Sequence, residues 1–198
     1  MRSEVRLLGG GMAMLGIATS ALVVIPYLTV RDVPAPAGLK PYTATEWRGR
    51  QVYVSYGCVA CHSQQPRAGS LAPDAARGWG RPSVAGDYAY DTPHLLGTMR
   101  TGPDLLNIGV RQPSAQWHLG HLYQPRAYLQ GSLMPSYPFL FDVKPKAEPG
   151  DVALQLPPGI APHGGTVVAS RDAQDLVAYL LSLNRNYPVV EAPQGTRP

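Results

Sequence analysis

The chain has 198 residues of which 15% are charged, low for a freely soluble protein, so part of it is expected in lipid or against a partner. Gly and Pro number 21 each without a G-X-Y period, which excludes collagen and implies long irregular loops. The net charge of +4 comes from scattered Lys and Arg with no basic run, which argues against nucleic acid and leaves anionic lipid or an acidic protein surface.

Leu7 to Val30 carries no charged side chain and is long enough, at about 1.5 Å per helical residue, to cross roughly 30 Å of hydrocarbon. A cleaved signal peptide is the alternative, since Ala18-Thr19-Ser20-Ala21 supplies small residues, but the apolar run continues past an ordinary signal core. A membrane helix over residues 7–30 is therefore expected. Arg2 and Arg6 lie in the short N-terminal segment 1–6, and by the positive-inside rule they leave it in the cytoplasm and send the rest outward.

Residues 31–41 read as a Pro-rich linker, semi-rigid by virtue of Pro34, Pro36 and Pro41. A domain is expected over residues 42–186, with a tail from Tyr187 to Pro198 that frays. Its first helix opens on the capping box Thr43-Ala44-Thr45-Glu46, places Gly49, Tyr53 and Tyr56 on one face, and stops at Gly57. The chain from Ser63 to Asp91 is loop. A short helix is expected from Ser114 to Tyr123, closed before Pro125. The tract 142–168 is Pro/Gly-rich and insertion-like, and Ser170 then caps an amphipathic helix with Ala173, Leu176, Val177, Leu180 and Leu183 in helical spacing. The sum is an all-α domain with long loops, tethered by one membrane helix.

Cys58-Val59-Ala60-Cys61-His62 is C-x-x-C-H, the pattern that attaches haem c covalently and uses every cysteine in the chain. Two thiols add to the vinyl groups of one porphyrin edge, and the next residue brings its imidazole under the iron. Three other readings compete. A thioredoxin-like dithiol needs βαβ units, for which no strands are evident. A zinc site would combine Cys58 and Cys61 with His118 and His121 at an unusual spacing. A disulfide would strain the short loop. For a sixth ligand, Met99 and Met134 are the methionines outside the apolar segment and the initiator. Met134, in the loop Gly131-Ser132-Leu133-Met134-Pro135, is favoured over a core role, with His118 and His121 in reserve; a thioether ligand raises the potential, as an electron carrier requires.

Tyr56-Gly57-Cys58-x-x-Cys61-His62-Ser63-Gln64-Gln65 resembles the mono-haem subunit II of cbb3-type cytochrome c oxidases. So do Ser83 to Asp87, Gly97 to Leu105, Trp117-His118-x-x-His121-Leu122, Pro125-Arg126 and Ser132 to Pro138. The resemblance spans residues 42–140 together with the N-terminal anchor. It implies a class I cytochrome c domain, with Cys58 and Cys61 as thioether attachments of one haem c, His62 as proximal ligand and Met134 as distal ligand. It further implies Pro103 packed on the proximal side near His62, and Arg100, Trp117 and Tyr137 at the haem edge and propionates. The implied role is an electron-transfer subunit, not catalytic alone, in the bacterial inner membrane with its haem domain in the periplasm. It would take electrons from a further c-type cytochrome and pass them to the catalytic haem–copper subunit. Two features depart from the family pattern: the tract 142–168, and Val23-Val24-Ile25 where an acidic residue is expected before the anchor's proline. A related nitric oxide reductase subunit, an independent membrane-anchored shuttle and a thiol oxidoreductase are the rival functions.

Overall fold

The computed structural model describes residues 2–189. The apolar N-terminus forms α1 (Arg2–Thr19), a π-helical turn (Ser20–Val24) and α2 (Ile25–Val30). Pro26 lacks the N–H that would donate to the preceding turn, and the wider turn just upstream absorbs that break without ending the helix. Within it, Ser3–Thr29 has a mean hydropathy of 1.9 and is buried nowhere, so by length and composition it suffices to cross a membrane. The helix begins at Arg2, within the expected N-terminal segment.

The body is built on α3 (Ala44–Ser55) against α7 (Arg171–Ser182). Thr43 accepts from the Glu46 N–H at 3.3 Å while the Glu46 carboxylate accepts from the Thr43 N–H at 2.6 Å, completing the capping box. Ser170 caps α7 by accepting from the Ala173 N–H. The two helices meet at Gly49, where a Cβ would lie 1.8 Å from the Asp175 carbonyl oxygen, so no larger residue allows this approach. Arg48 clamps the crossing with two bonds to the Asp175 carboxylate, at 2.6 and 3.2 Å. Tyr53, Leu176, Tyr179 and Leu183 fill the interior beneath, and α4 (Ile108–Arg111), α5 (Ala115–Tyr123) and α6 (Pro125–Tyr128) close the other side. Of the face expected on α3, Gly49 and Tyr53 are buried, whereas Tyr56 is exposed and packs on Phe139.

The all-α expectation needs correction. β1 (Phe141–Lys144) pairs antiparallel with β2 (Thr166–Ala169), from Phe141 opposite Ala169 to Lys144 opposite Thr166. Val167 and Val168 are both buried, as suits β-branched side chains in a covered strand. The tract between them is not a free loop. Leu154 N–H donates to the Val167 carbonyl at 2.9 Å, and the Gln116 amide on α5 bonds both the Ala153 carbonyl and the Gln155 N–H at 3.0 Å.

The linker is likewise docked. The Pro34 carbonyl and the Pro36 ring lie so close to Gly86 that a Cβ there would meet them at 2.9 and 3.0 Å. Gly38 packs under the Tyr187 ring, and Tyr187 donates to Asp87 at 2.8 Å. Tyr187, expected to fray, is thus tied down; the tail from Val190 onward lies outside the described residues.

Candidate functional site

The end of α3 generates the site. Gly57 turns left-handed at φ 70°, a conformation that favours glycine, and the chain enters a 3₁₀ turn (Cys58–Ala60). The N–H groups of Cys61 and His62 both bond the Cys58 carbonyl, at 3.2 and 3.0 Å. This compact turn puts Cys58, Cys61 and His62 on the wall of one cleft of about 580 Å³. Leu105, Ile108, Leu122, Leu129, Leu133 and Leu180 make much of the remaining wall apolar.

His62 is held from two sides. Its Nδ1 lies 2.8 Å from the Pro103 carbonyl oxygen, which accepts only, so Nδ1 carries the proton and Nε2 keeps its lone pair. Burial pushes the His62 pKa down and favours this neutral form. The imidazole lies close against Gly102, where a Cβ would be 2.2 Å from Cε1. The facing segments are laced together by Gly102 N–H to the Cys61 carbonyl at 3.0 Å and Leu105 N–H to the Ser63 carbonyl at 2.8 Å.

Cys58 is half-buried and Cys61 exposed, and no disulfide joins them. Burial pushes the Cys58 thiol up to about 11, the reverse of the acidic thiol that disulfide exchange uses. Among the described residues no group of three or more His, Cys, Asp or Glu side chains gathers closely enough to hold a metal ion. These observations weigh against the thioredoxin-like and zinc readings. What the wall offers instead is a pair of thiols and an imidazole with one free nitrogen, facing an apolar cleft with a thioether in its lining. That set fits haem c.

The structure separates the two methionines: Met134 lines the cleft, whereas Met99 is 58% exposed and outside its lining. Pro103, Trp117 and Tyr137 also line it. Of the two histidines on α5, His118 uses Nε2 to meet the Gln112 carbonyl at 2.8 Å, and His121 stacks on Trp117 at 4.6 Å between ring centroids. Arg100 stands apart from the other expected residues. It bonds Asp74 at 2.7 Å, Ser63 at 3.1 Å and the Gln65 carbonyl at 2.7 Å, and it is not in the cleft lining. It reaches the cleft indirectly, with its guanidinium over Trp79, a lining residue. Trp79, Arg111 and Gln112 line the cleft without having been singled out in the sequence, where each sits in a loop or at a helix end with no motif around it.

The family model described as cytochrome C oxidase, mono-heme subunit/FixO matches residues 4–155, from the N-terminal helix through the cleft-forming segments. No curated protein matches the chain.

Proposed function

Because the chain belongs to the mono-haem subunit family of cbb3-type cytochrome c oxidase, we propose that its cleft holds one haem c covalently and relays single electrons to the catalytic haem–copper subunit. The supporting observation is the convergence of Cys58, Cys61, His62 and Met134 on one apolar cleft. Bound haem supplies a one-electron couple at neutral pH; the protein supplies everything that positions and tunes it. Cys58 and Cys61 bond the ring edge. His62 presents Nε2 from a ring fixed by Pro103 and Gly102, and the hydrogen bond to Pro103 makes that nitrogen more basic. Met134 would supply the distal ligand and so raise the potential, and the apolar wall excludes water. Trp117 and Tyr137, which line the cleft, would pack against the haem. The domain is then a class I cytochrome c module carrying the β1–β2 pair as an addition.

On this reading the apolar helix crosses the bacterial inner membrane once and the cleft faces the periplasm. The donor is a further c-type cytochrome. The deciding experiment combines two measurements on protein solubilised in mild detergent. Intact mass should exceed the polypeptide by one haem, and a large multi-haem membrane subunit should co-purify. A colourless protein with two titratable thiols refutes the relay. A haem-loaded chain that purifies alone points to the independent shuttle, and co-purification with a nitric-oxide-reducing subunit to the reductase.

A further inference from the structure

Residues 57–141, which supply most of the cleft wall, contain the carboxylates Asp74, Asp87, Asp91 and Asp104 and no glutamate. All four are buried. Each is also engaged inside the domain: Asp74 by Arg100, Asp87 by Arg81, Asp91 by Arg50, and Asp104 by Ser63 Oγ and the Gln65 and Leu106 N–H groups. Burial and pairing therefore remove every acid of this stretch from the surface. Two of its arginines are left outside. Arg77 and Arg126 are exposed and join none of these pairs. Both stand at the mouth of the cleft. Arg77 lies over the ring of Trp79, 5.0 Å from its centroid, and Trp79 lines the cleft. Arg126, on α6, is three residues before Leu129, a lining residue that is itself exposed, and residues so spaced share a helical face. The exposed acids Asp142, Glu148 and Asp172 belong to β1, the tract after it and α7, outside this stretch. The mouth therefore carries a positive rim with no exposed acid from the same segments to offset it.

We propose that the rim formed by Arg77 and Arg126 docks an acidic face of the electron donor, a c-type cytochrome whose contact surface is rich in Asp and Glu. The assignment rests on the relay reading above. In the step it serves, the donor loses one electron and the haem of this chain gains it, and no proton or covalent bond moves. Rim charges of this kind raise the association rate and fix the orientation of the encounter more than they add affinity. An anionic lipid surface would meet the same two charges. A plane of lipid across the mouth would, however, seal the opening from every redox partner, whereas a protein can present a small acidic face to it.

The test uses the full-length, haem-loaded protein in nanodiscs of neutral lipid. The wild type is compared with the double variant Arg77→Glu, Arg126→Glu and with Lys146→Glu, the same charge reversal at an exposed lysine outside the cleft lining. Stopped-flow kinetics follow reduction by an acidic and by a basic c-type cytochrome, and oxidation by hexacyanoferrate(III) and by tris(phenanthroline)cobalt(III). At low salt the double variant should slow the acidic cytochrome and hexacyanoferrate roughly tenfold and speed their cationic counterparts, and the difference should fade as salt rises. Lys146→Glu should change none of these rates. A changed midpoint potential would move both members of a pair in the same direction, so a shift shared in sign within each pair overturns the assignment. Should the double variant not accumulate, the wild type decides: reduction by the acidic cytochrome must slow with ionic strength, and a flat or rising profile overturns the assignment. Nanodiscs containing phosphatidylglycerol separate the lipid occupant. If they bring the wild-type rate with the acidic cytochrome down to that of the double variant, the rim faces lipid and protein docking is overturned. Haem-loaded wild type that is blind to partner charge overturns this inference only, whereas wild type without covalent haem overturns the parent reading as well.

Discussion

Gly102→Ala is the sharpest test of how the proximal imidazole is held. The added Cβ would lie 2.2 Å from His62 Cε1, 2.7 Å from Nδ1 and 2.9 Å from Nε2. Ordinary carbon contacts are about 3.5–4.0 Å, so the ring must withdraw by roughly 1.5 Å. The backbone on either side cannot drift to make room, since Gly102 N–H is bonded to the Cys61 carbonyl and His62 N–H to the Cys58 carbonyl. Ring withdrawal stretches the 2.8 Å contact between Nδ1 and the Pro103 carbonyl beyond hydrogen-bond range. The lost bond is worth about 1 kcal/mol and overpacking about 1–3 kcal/mol, so a destabilisation of about 2–4 kcal/mol is expected. At a urea slope of about 2 kcal/mol per M, the middle of the usual range, the midpoint should fall by roughly 1–2 M. The haem spectrum should also change, because the proximal nitrogen is displaced. Gly69→Ala is the matched control, since a Cβ there meets nothing within 4 Å and the residue lies outside the cleft lining. If Gly102→Ala and Gly69→Ala share one midpoint and one spectrum, the imidazole is not wedged against Gly102 and the reasoning fails.

Three further outcomes are expected. Met134→His should retain covalent haem, lower the midpoint potential and abolish any far-red sulfur–iron band, while Met99→Leu should do none of these; a band lost with Met99 instead would reassign the ligand. Gly49→Ala drives a Cβ into the Asp175 carbonyl and should lower stability by about 1–3 kcal/mol or more, measured by thermal unfolding, and a neutral result would mean that α3 and α7 are further apart than described. Burial pushes the Asp87 carboxyl up, but the Arg81 fork, the Val84 N–H and the Tyr187 hydroxyl outweigh it and hold the pKa below the usual carboxylate range. Its stabilisation is thus complete above about pH 4, the unfolded value, and disappears as pH falls through the lower folded value. Asp87→Asn should be less stable at pH 7 and should flatten the acid limb of unfolding, and an acid limb identical to wild type would count against the Asp87 cluster.

The features legible in the sequence were those decided by near neighbours. Thr43 and Glu46 cap each other, Gly57 turns left-handed, and Ser114 and Ser170 cap their helices, each through contacts within a few residues. C-x-x-C-H is local too, which is why its wall of the cleft could be anticipated. The β1–β2 pair depends instead on Phe141 finding Ala169 across a long Pro/Gly-rich tract, and two four-residue strands carry too little periodicity to announce themselves. Arginine roles were equally opaque: Arg100 and Arg111 look alike in the chain, and only the placement of Asp74 and Asp104 shows that one is fully partnered and the other is not.

The docked linker limits where the domain can go. The apolar helix ends at Val30, and by Pro34 the chain already lies against Gly86. Between them stand Arg31, whose N–H still bonds the Tyr27 carbonyl at 3.0 Å, then Asp32 and Val33, so the connection spans at most roughly 10 Å at about 3.3–3.6 Å per residue. A haem module on so short a leash searches a volume only a few nanometres across. For a fixed anchor, any acceptor within that volume is met at a high effective concentration, and one beyond it is met only when the anchor itself moves. On the proposed relay reading, such a tether suits a stationary step in a chain of electron carriers.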